Sequence, residues 1–193
     1  KRKNSIKSSR VLSTRNLVST LASMTNPPKI LISSSAVGFY GKNKPVELYE
    51  DLGSGKDFLS NVCKEWEQEA FKAKDYNIRT VALRIGIVLG YEGGAMKKIL
   101  PPFWIGAGGI LGDGKQWMSW IHVNDLVGMI IHSLKNKEIQ GAYNATSPEP
   151  VTNKEFTQCL AKTLRRPALI PVPKFALKLI LGEMSDLLLG SLK

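Results

Sequence analysis

Three consecutive serines at the end of a short apolar run could bind a ligand. The run KILISSS spans Lys29 to Ser35, and a glycine-containing segment with Tyr40 follows it directly. Serine hydroxyls there could hold a substrate carbonyl or alcohol, because ligands of parallel α/β sheets bind outside the carboxyl ends of the strands. The same hydroxyls could instead satisfy backbone groups where the strand ends, and the segment alone leaves both alternatives open.

A second apolar run supplies the neighbouring strand and its exit. It reads RTVALRIGIVL from Arg79 to Leu89, and between the two runs Asp57 can cap a helix that reaches about Tyr76. The order strand, helix, strand predicts a parallel pair joined by a right-handed crossover. We therefore expect the site where the two strands end, at residues 33–35 and 83–86.

Other segments must complete the fold around these strands. Glycines and prolines crowd residues 90 to 115, which predicts a smaller subdomain from about residue 91. Strands of this subdomain could also join the sheet of the main domain. The remaining predicted elements are helices at 8–24, 95–100, 124–134, 153–166 and 174–181, with Asn124 and Asn153 as caps, and a strand at 142–145.

Composition excludes several classes of protein. Of the 193 residues, 43% are hydrophobic and 22% are charged, which predicts a globular protein with one core rather than a disordered or collagen-like chain. No apolar run reaches the roughly 18 residues of a membrane span, and no signal peptide is visible. Two distant cysteines and two histidines predict a reducing compartment and no structural metal. We expect a cytoplasmic protein, or one of an organellar stroma or matrix, without a membrane partner.

Basic residues are concentrated at the start of the chain. Lysine and arginine total 27 against 16 acidic residues, and no aromatic residue precedes Phe39. Nucleic-acid binding would favour basic residues interleaved with stacking aromatics, so a solvated basic helix face is the preferred interpretation and no nucleic-acid partner is expected. A basic nucleic-acid-binding fragment stays the second alternative. The basic residues of this cluster are Lys1, Arg2, Lys3, Lys7, Arg10 and Arg15.

Three segments resemble one family in order and spacing. The segment SSSAVGFYG resembles the S-S-x-(A/S)-x-x-Y-G strand exit of the extended short-chain dehydrogenase/reductases, the NAD-dependent epimerase/dehydratase family. Residues 84–90 resemble its R-x-x-N-V-Y-G segment, with Ile87 at the asparagine position, and residues 120–126 resemble its I-H-V-x-D-x-V segment. The stretch GGAMKKILPPFWIGAGGILGDGKQWMSWIHVNDL resembles an atypical subgroup described as sugar-nucleotide epimerase-like or cell-division-inhibitor-like.

The resemblance implies an α/β fold, a doubly wound, Rossmann-like parallel sheet whose N-terminal glycine-rich half is missing here, with a small mixed C-terminal subdomain. Residues 1–90 would be the second half of the NAD(P)-binding domain and residues 91–193 the substrate-side subdomain. The intact protein would bind NADP or NAD and act as an oxidoreductase or epimerase on a small molecule or nucleotide-sugar. A homodimer through the helices at 8–24 and 57–76 is also implied.

The resemblance also assigns site residues. Ser35 would hold the reacting oxygen with Tyr40 nearby, and these two are the candidate catalytic residues. The candidate cofactor-binding residues are Ser33, Ser34, Leu83, Arg84, Ile85 and Gly86. The candidate substrate-pocket residues are Trp104, Trp120 and His122.

Two motif-like patterns occur outside the structural context that their usual function requires. The family's tyrosine and lysine acid/base pair belongs on the helix after the serines, where alignment puts Leu59 and Cys63. Tyr40 and Lys44 have the right spacing but lie in a predicted loop. The glycines of 106–112 have dinucleotide-loop spacing, yet no strand precedes them and no helix follows, so a flexible loop is expected. A non-catalytic NAD(P)-binding sensor is therefore the first alternative.

Overall fold

The computed structural model describes residues 2–42, 46–168, 171–181 and 190–193. The α-helices are α1 (Arg2–Ala22), α2 (Phe58–Phe71), α3 (Met96–Trp104), α4 (Val123–Lys135), α5 (Asn153–Leu164) and α6 (Lys174–Leu181). The strands are β1 (Ile30–Ala36), β2 (Arg79–Ile85), β3 (Ile87–Gly90), β4 (Gly93–Gly94), β5 (Trp117–Met118), β6 (Trp120–His122), β7 (Gly141–Ala145) and β8 (Val151–Thr152). None of these helices is long and apolar enough to cross a membrane.

Backbone proximity divides the chain into two compact units. The first comprises Lys1–Gly41, Tyr49–Gly86 and Asn124–Ala145, and the second comprises Lys42–Leu48, Ile87–Val123 and Thr146–Lys193. Helix α4 and strand β7 thus belong with β1 and β2. The division into two domains near residue 90 stays a prediction.

A parallel sheet of order β1-β2-β7 forms the centre of the first unit. Its register places Ser35, Arg84 and Asn144 in one row across the three strands. Parallel strands with connecting helices confirm the predicted α/β, Rossmann-like fold class. The register also brings the carboxyl ends of all three strands to one edge.

The crossover between β1 and β2 follows the expected pattern, with one difference at its end. Asp57 caps α2 through a capping box with Ser60, in which each side chain bonds the other residue's backbone N–H. After Phe71 the backbone tightens into a 3₁₀ helix, Lys72–Tyr76, which ends where Asn77 adopts a left-handed φ of 58°. Asn77 therefore stops the helix, as its type predicts.

Helix α1 is longer at its start than the apolar pattern indicates, since it begins at Arg2. Val18 packs with Ala73 and Ile78 in the core of this unit. The described basic side chains of α1 at positions 3, 7, 10 and 15 are solvent-exposed as expected, and two of them also pair with α2. Lys7 bonds Glu65 at 2.7 Å and Arg15 bonds Glu69 at 2.9 Å.

The run Arg79–Leu89 is not one strand, which corrects the sequence prediction. Strand β2 ends at Ile85, the N–H of Gly86 donates to the Ala145 carbonyl, and β3 pairs with β4 and β6 in a separate sheet. An uninterrupted apolar pattern cannot distinguish one buried strand from two that join different sheets.

The second unit contains small sheets and the helices α3, α5 and α6. Helix α3 runs to Trp104, through Pro101 and Pro102, and is thus longer than predicted. Helix α5 is capped by Thr152 rather than Asn153. The Thr152 hydroxyl accepts from the Glu155 N–H, and the Glu155 carboxylate accepts from the Thr152 N–H.

Candidate active site

The serines at the end of β1 alternate between the two faces of the sheet. Ser33 and Ser35 are buried, whereas Ser34 is exposed, as the two-residue period of a strand requires. The Ser35 hydroxyl donates to Oε1 of Glu67 on α2, with an Oγ to Oε1 distance of 2.6 Å. Ser33 instead donates to the backbone carbonyl of Ser34 at 3.2 Å. The two hydroxyls therefore have different partners, and only Ser35 contacts a charged group.

A buried ion pair supports Ser35. Arg84, its neighbour on β2, donates from Nε to Oε1 of Glu67 and from a terminal nitrogen to Oε2, both at 3.0 Å. Only about 5% of either side chain is exposed. Burial opposes the guanidinium charge, but hydrogen bonds to Glu67 and Tyr40 outweigh it, so the pKa of Arg84 is raised. The Arg84 guanidinium therefore stays charged beside Glu67.

Tyr40 joins the same network from the 3₁₀ helix Val37–Tyr40. Its phenol oxygen accepts from Arg84 at 2.9 Å, and its hydroxyl donates to Oδ1 of Asn144 on β7 at 2.7 Å. Burial raises the pKa of Tyr40 although Arg84 acts in the opposite direction. The Arg84 guanidinium also lies 3.5 Å from the centre of the Phe39 ring. The Tyr40 hydroxyl thus both accepts and donates a hydrogen bond within the network.

The loop after β1 is held by a close backbone approach. Gly55 donates its N–H to the Phe39 carbonyl at 2.8 Å, and a Cβ at Gly55 would lie 2.6 Å from the Cα of Gly41. Gly41 itself adopts a φ of 87°, which favours glycine. Glu50 adds a further contact, because its carboxylate accepts from the Asn144 N–H at 2.8 Å. The strand exit is therefore fixed on both sides.

Cys63 lies on the face of α2 beside the network. Burial and the neighbouring Glu67 charge raise the pKa of its thiol to about 11. The thiol is therefore protonated at neutral pH and is neither a cation nor a base. Lys44, the other candidate for a lysine role, lies outside the described residues.

The candidate cofactor-binding residues divide between the two faces of the sheet. Leu83 lines an apolar cavity of about 280 Å³, together with Tyr143 and residues of α4 and its following loop. Ser34 is in register with Leu83, and Ile85 with Ala36. Because side chains alternate, Arg84 points to the α2 face and these residues to the other. The side chains of these residues therefore do not meet, and only their backbone lies close together, at the ends of the strands.

The candidate substrate-pocket residues belong to the second unit. Trp120 donates its indole N–H to the Glu149 carbonyl at 3.1 Å. Trp104 is the last residue of α3 and is 45% exposed, and His122 is the exposed last residue of β6. Their assignment to a pocket stays a prediction.

Several backbone N–H groups in the glycine loop of the second unit donate hydrogen bonds within that unit. Gly112 donates its N–H to Val172 at 2.9 Å, Gly114 donates to Leu111 at 3.1 Å, and Leu111 donates to the side chain of Asn153 at 2.8 Å. Phosphate binding by such a loop requires free N–H groups. These three N–H groups are therefore not available to a phosphate, and the flexibility of the loop stays a prediction.

Glu67 and Asn144 are members of the network that the sequence prediction omitted. A signal was present for Glu67, because Arg84 lies inside the apolar run RTVALRI. A buried arginine needs a buried acid, and Glu67 follows Trp66 on the side of α2 that faces the sheet. Nothing local marks Asn144, whose partner Tyr40 is 104 positions away.

A family model matches most of the chain. The model of the NAD dependent epimerase/dehydratase family matches residues 1–146. The chain belongs to this family. The match covers β1, α2, β2 and β7, so it includes every residue of the Ser35 network.

Curated relatives agree along nearly the whole chain. An epimerase family protein of Arabidopsis thaliana, described as an SDR39U1 homolog and chloroplastic, is 44% identical over 99% of this chain and 55% of its own length. The epimerase family protein YfhF of Bacillus subtilis is 42% identical over 97% of this chain and 62% of its own. The chain thus spans little more than half the length of these relatives.

Solved structures give the same fold. The crystal structure of human epimerase family protein SDR39U1 with NADPH is 32% identical and superposes with a TM-score of 0.88, over 97% of this chain and 64% of that one. A UDP-glucuronic acid 4-epimerase from Bacillus cereus is 20% identical with a TM-score of 0.72, over 85% of this chain and 54% of its own. At that identity the likeness concerns the fold alone.

Proposed function

We propose that this protein binds NADP or NAD at the carboxyl ends of β1 and β2 and catalyses hydride transfer on a small molecule or nucleotide-sugar. The observation that carries the proposal is the row Ser35, Arg84 and Asn144, which sets a charge-supported hydroxyl at the edge where parallel sheets bind ligands. NADPH in the human SDR39U1 structure, 32% identical, supports NADP over NAD.

The residues at this edge fit a nicotinamide. Strands β1 and β2 are in register from the pair Ile30 and Arg79 to the pair Ala36 and Ile85. Both strands therefore end at the same level, and neither extends past the other. Ser35 offers an oxygen, and the pair behind it is neutral overall, which suits an uncharged amide. When bound, the dinucleotide would supply or accept the hydride. The chain's own residues would orient the ring and exclude water.

Tyr40 would have a positioning role in this site. Its oxygen accepts from Arg84, which cannot give up its charge, and its proton is donated to Asn144. A phenol with a raised pKa and two fixed partners does not exchange protons readily at neutral pH. Tyr40 therefore holds the strand exit against β7, and proton transfer must come from another group or from water.

A non-catalytic NAD(P) sensor is the second candidate. It is favoured by the protonated thiol of Cys63 at the position where the family resemblance places the lysine. Without an ammonium group there, no neighbouring cation lowers the pKa of an acid/base partner. Occupancy of the same coenzyme site would then depend on the ratio of oxidised to reduced NAD(P) in the cell, and no turnover would occur.

Two further properties belong to this proposal. Helices α1 and α2 pack side by side, and α1 exposes Leu12 and Leu17 at 47% and 48%, which supports a homodimer through this pair. The chloroplastic relative supports an organellar location. Sedimentation of the full-length protein tests the first, and import of a tagged protein into organelles tests the second.

The test of function combines binding with turnover in the full-length protein. We expect NADPH to bind and to be oxidised by members of a panel of carbonyl compounds and keto-sugar nucleotides. Ser35→Ala should weaken binding or turnover more than Lys44→Ala does. Binding without turnover supports the sensor, and absence of NADPH and NADH binding contradicts both candidates.

A further inference from the structure

The C-terminal ends of helices α3 and α5 meet on the surface of the second unit. Gly106 lies shortly after α3 and Pro167 shortly after α5, and a Cβ at Gly106 would be 3.6 Å from Cγ of Pro167. Beside this contact, Trp104 and Ile105 are 45% and 81% exposed. Two exposed arginines precede Pro167. The helix-end surface is made by Trp104, Ile105, Arg165 and Arg166.

The segments that form this surface are basic and contain no acidic residue. Residues 93–112, which include α3, contain Lys97 and Lys98, and residues 156–182, which include most of α5, contain five basic residues. Among the described residues, neither Arg165 nor Arg166 has a side-chain hydrogen bond or an ion pair. The guanidinium groups at the helix-end surface are therefore free to bind an anionic partner.

Helix stability does not account for all of these side chains. The dipole of a helix favours cations near its C-terminus, which explains Arg165 and Arg166 beside the end of α5. Lys97 and Lys98 lie in the first turn of α3, where the same dipole opposes a cation. The exposed side chain of Ile105 also contributes no burial to folding. A partner that is both anionic and apolar would stabilise the two kinds of side chain together.

We propose that the helix-end surface binds an anionic lipid bilayer peripherally. Arg165 and Arg166 would contact lipid phosphates, which guanidinium groups bind strongly. Ile105 projects from a helix end, and such an aliphatic side chain can enter the boundary between headgroups and acyl chains. Tryptophan is enriched at the same depth, which suits Trp104. A bilayer therefore fits this surface better than a purely polar anion does.

This inference goes beyond the proposed function and does not depend on the coenzyme site. It departs from the sequence-based expectation of no membrane partner. That expectation considered apolar runs and the basic cluster of α1, whereas the helix-end surface combines two segments that are distant in the sequence.

The test measures binding of the full-length protein to lipid vesicles by co-sedimentation. One kind of vesicle is phosphatidylcholine alone, and the other contains equal parts of phosphatidylcholine and the anionic phosphatidylglycerol. We expect binding to the anionic vesicles that weakens as the salt concentration rises, and much weaker binding to phosphatidylcholine alone.

A pair of double variants tests the charged contacts. Arg165→Gln with Arg166→Gln should weaken binding to anionic vesicles about thirtyfold, the value of two cations near such a membrane. Lys135→Gln with Lys137→Gln, at exposed positions at and after the end of α4, removes the same charge elsewhere and is the control. The control should change binding much less. Both proteins should melt like wild type, because the replaced side chains are exposed.

A second pair tests the apolar contact. Ile105→Ser should weaken binding to anionic vesicles about tenfold, because less apolar surface enters the bilayer. Tyr91→Ser is the control, since Tyr91 is 77% exposed but lies before the start of α3. Trp104 is left unchanged because it is also a candidate for the substrate pocket.

The outcomes either support the bilayer or overturn it. Failure of wild type to bind anionic vesicles, or equal binding to both kinds of vesicle, overturns the inference. Losses as large in the controls as in the surface variants also overturn it, because they would report net charge or general hydrophobicity. Binding of a single-stranded oligonucleotide through the two arginines, without binding of vesicles, would assign the surface to nucleic acid and overturn it as well.

Discussion

The strand exit of the first unit and the glycine loop of the second both have the sequence features of a ligand site, but they use their polar groups differently. At the strand exit, side chains from β1, α2, β2 and β7 form a network around a buried ion pair that includes Ser35. In the loop, the N–H groups of Gly112, Gly114 and Leu111 donate to Val172, Leu111 and Asn153. Residue spacing alone does not distinguish the two segments; the hydrogen-bond partners of their polar groups do.

Removing the buried charge at the strand exit is expected to have the largest effect. Arg84→Met leaves the Glu67 carboxylate buried without its cation and should lower the free energy of unfolding by about 3–5 kcal/mol. Urea denaturation followed by circular dichroism measures the change. Lys7→Met, which removes the half-exposed pair with Glu65, is the control and should cost less than about 1 kcal/mol. Equal losses in the two variants would contradict the buried pair.

The close approach behind the strand exit gives a somewhat smaller effect. Gly55→Ala would put a methyl 2.6 Å from the Cα of Gly41 and should destabilise the protein by about 1–3 kcal/mol. Gly53→Ala is a matched control two residues away, because among the described residues, its chain neighbours aside, no atom lies within 4 Å of its Cβ position. Thermal melting of both variants compares them. A Gly53→Ala variant as unstable as Gly55→Ala would show that the segment is packed differently.

The glycine loop should respond in stability and not in coenzyme binding. Asn153→Ala removes the acceptor for the Leu111 N–H at a buried position and should cost about 1–2 kcal/mol. NADPH affinity should be unchanged, since the loop has no role in binding in our account. An Asn153→Ala protein that melts like wild type but binds NADPH tenfold more weakly would reverse the roles of the two regions.

Labelling of the two cysteines is the test that perturbs the protein least, because it needs no substitution. Cys63 beside the network has a pKa of about 11 and is buried, whereas Cys159 on α5 is exposed. Below pH 9 we expect iodoacetamide to label Cys159 alone in the folded protein, and to label both after unfolding. Because the pKa of Cys63 is raised, its neutral form stabilises the fold below pH 9, and that contribution is lost as the pH rises toward 11. Peptide mass spectrometry measures the labelling, and modification of Cys63 at neutral pH would contradict its burial.

Local patterns were sufficient for the core of the fold. The runs KILISSS and RTVALRI predicted β1 and β2, and Asp57 predicted the start of α2. The break at Gly86 was missed because it depends on which sheet each strand joins. Its N–H bonds Ala145, which lies 59 positions along the chain. Such a contact leaves no mark in a short window.

The sequence predicted the location of the candidate site better than its chemistry. The strand exits indicated Ser35 and Arg84, the family resemblance added Tyr40, and the structure brings all three into one network. Their partners Glu67 and Asn144 were not found, and those partners determine where each proton goes. Hydrogen-bond direction depends on tertiary contacts between charged groups, which a single sequence does not record.

Hydrogen exchange of the full-length protein with and without NADPH tests the location of the site most directly. Ligand contact slows exchange in the segments that it stabilises. We predict slower exchange with NADPH in peptides that cover residues 30–40 and 79–86, and no change in peptides that cover 106–114. Protection of 106–114 with none at the ends of β1 and β2 would contradict the account.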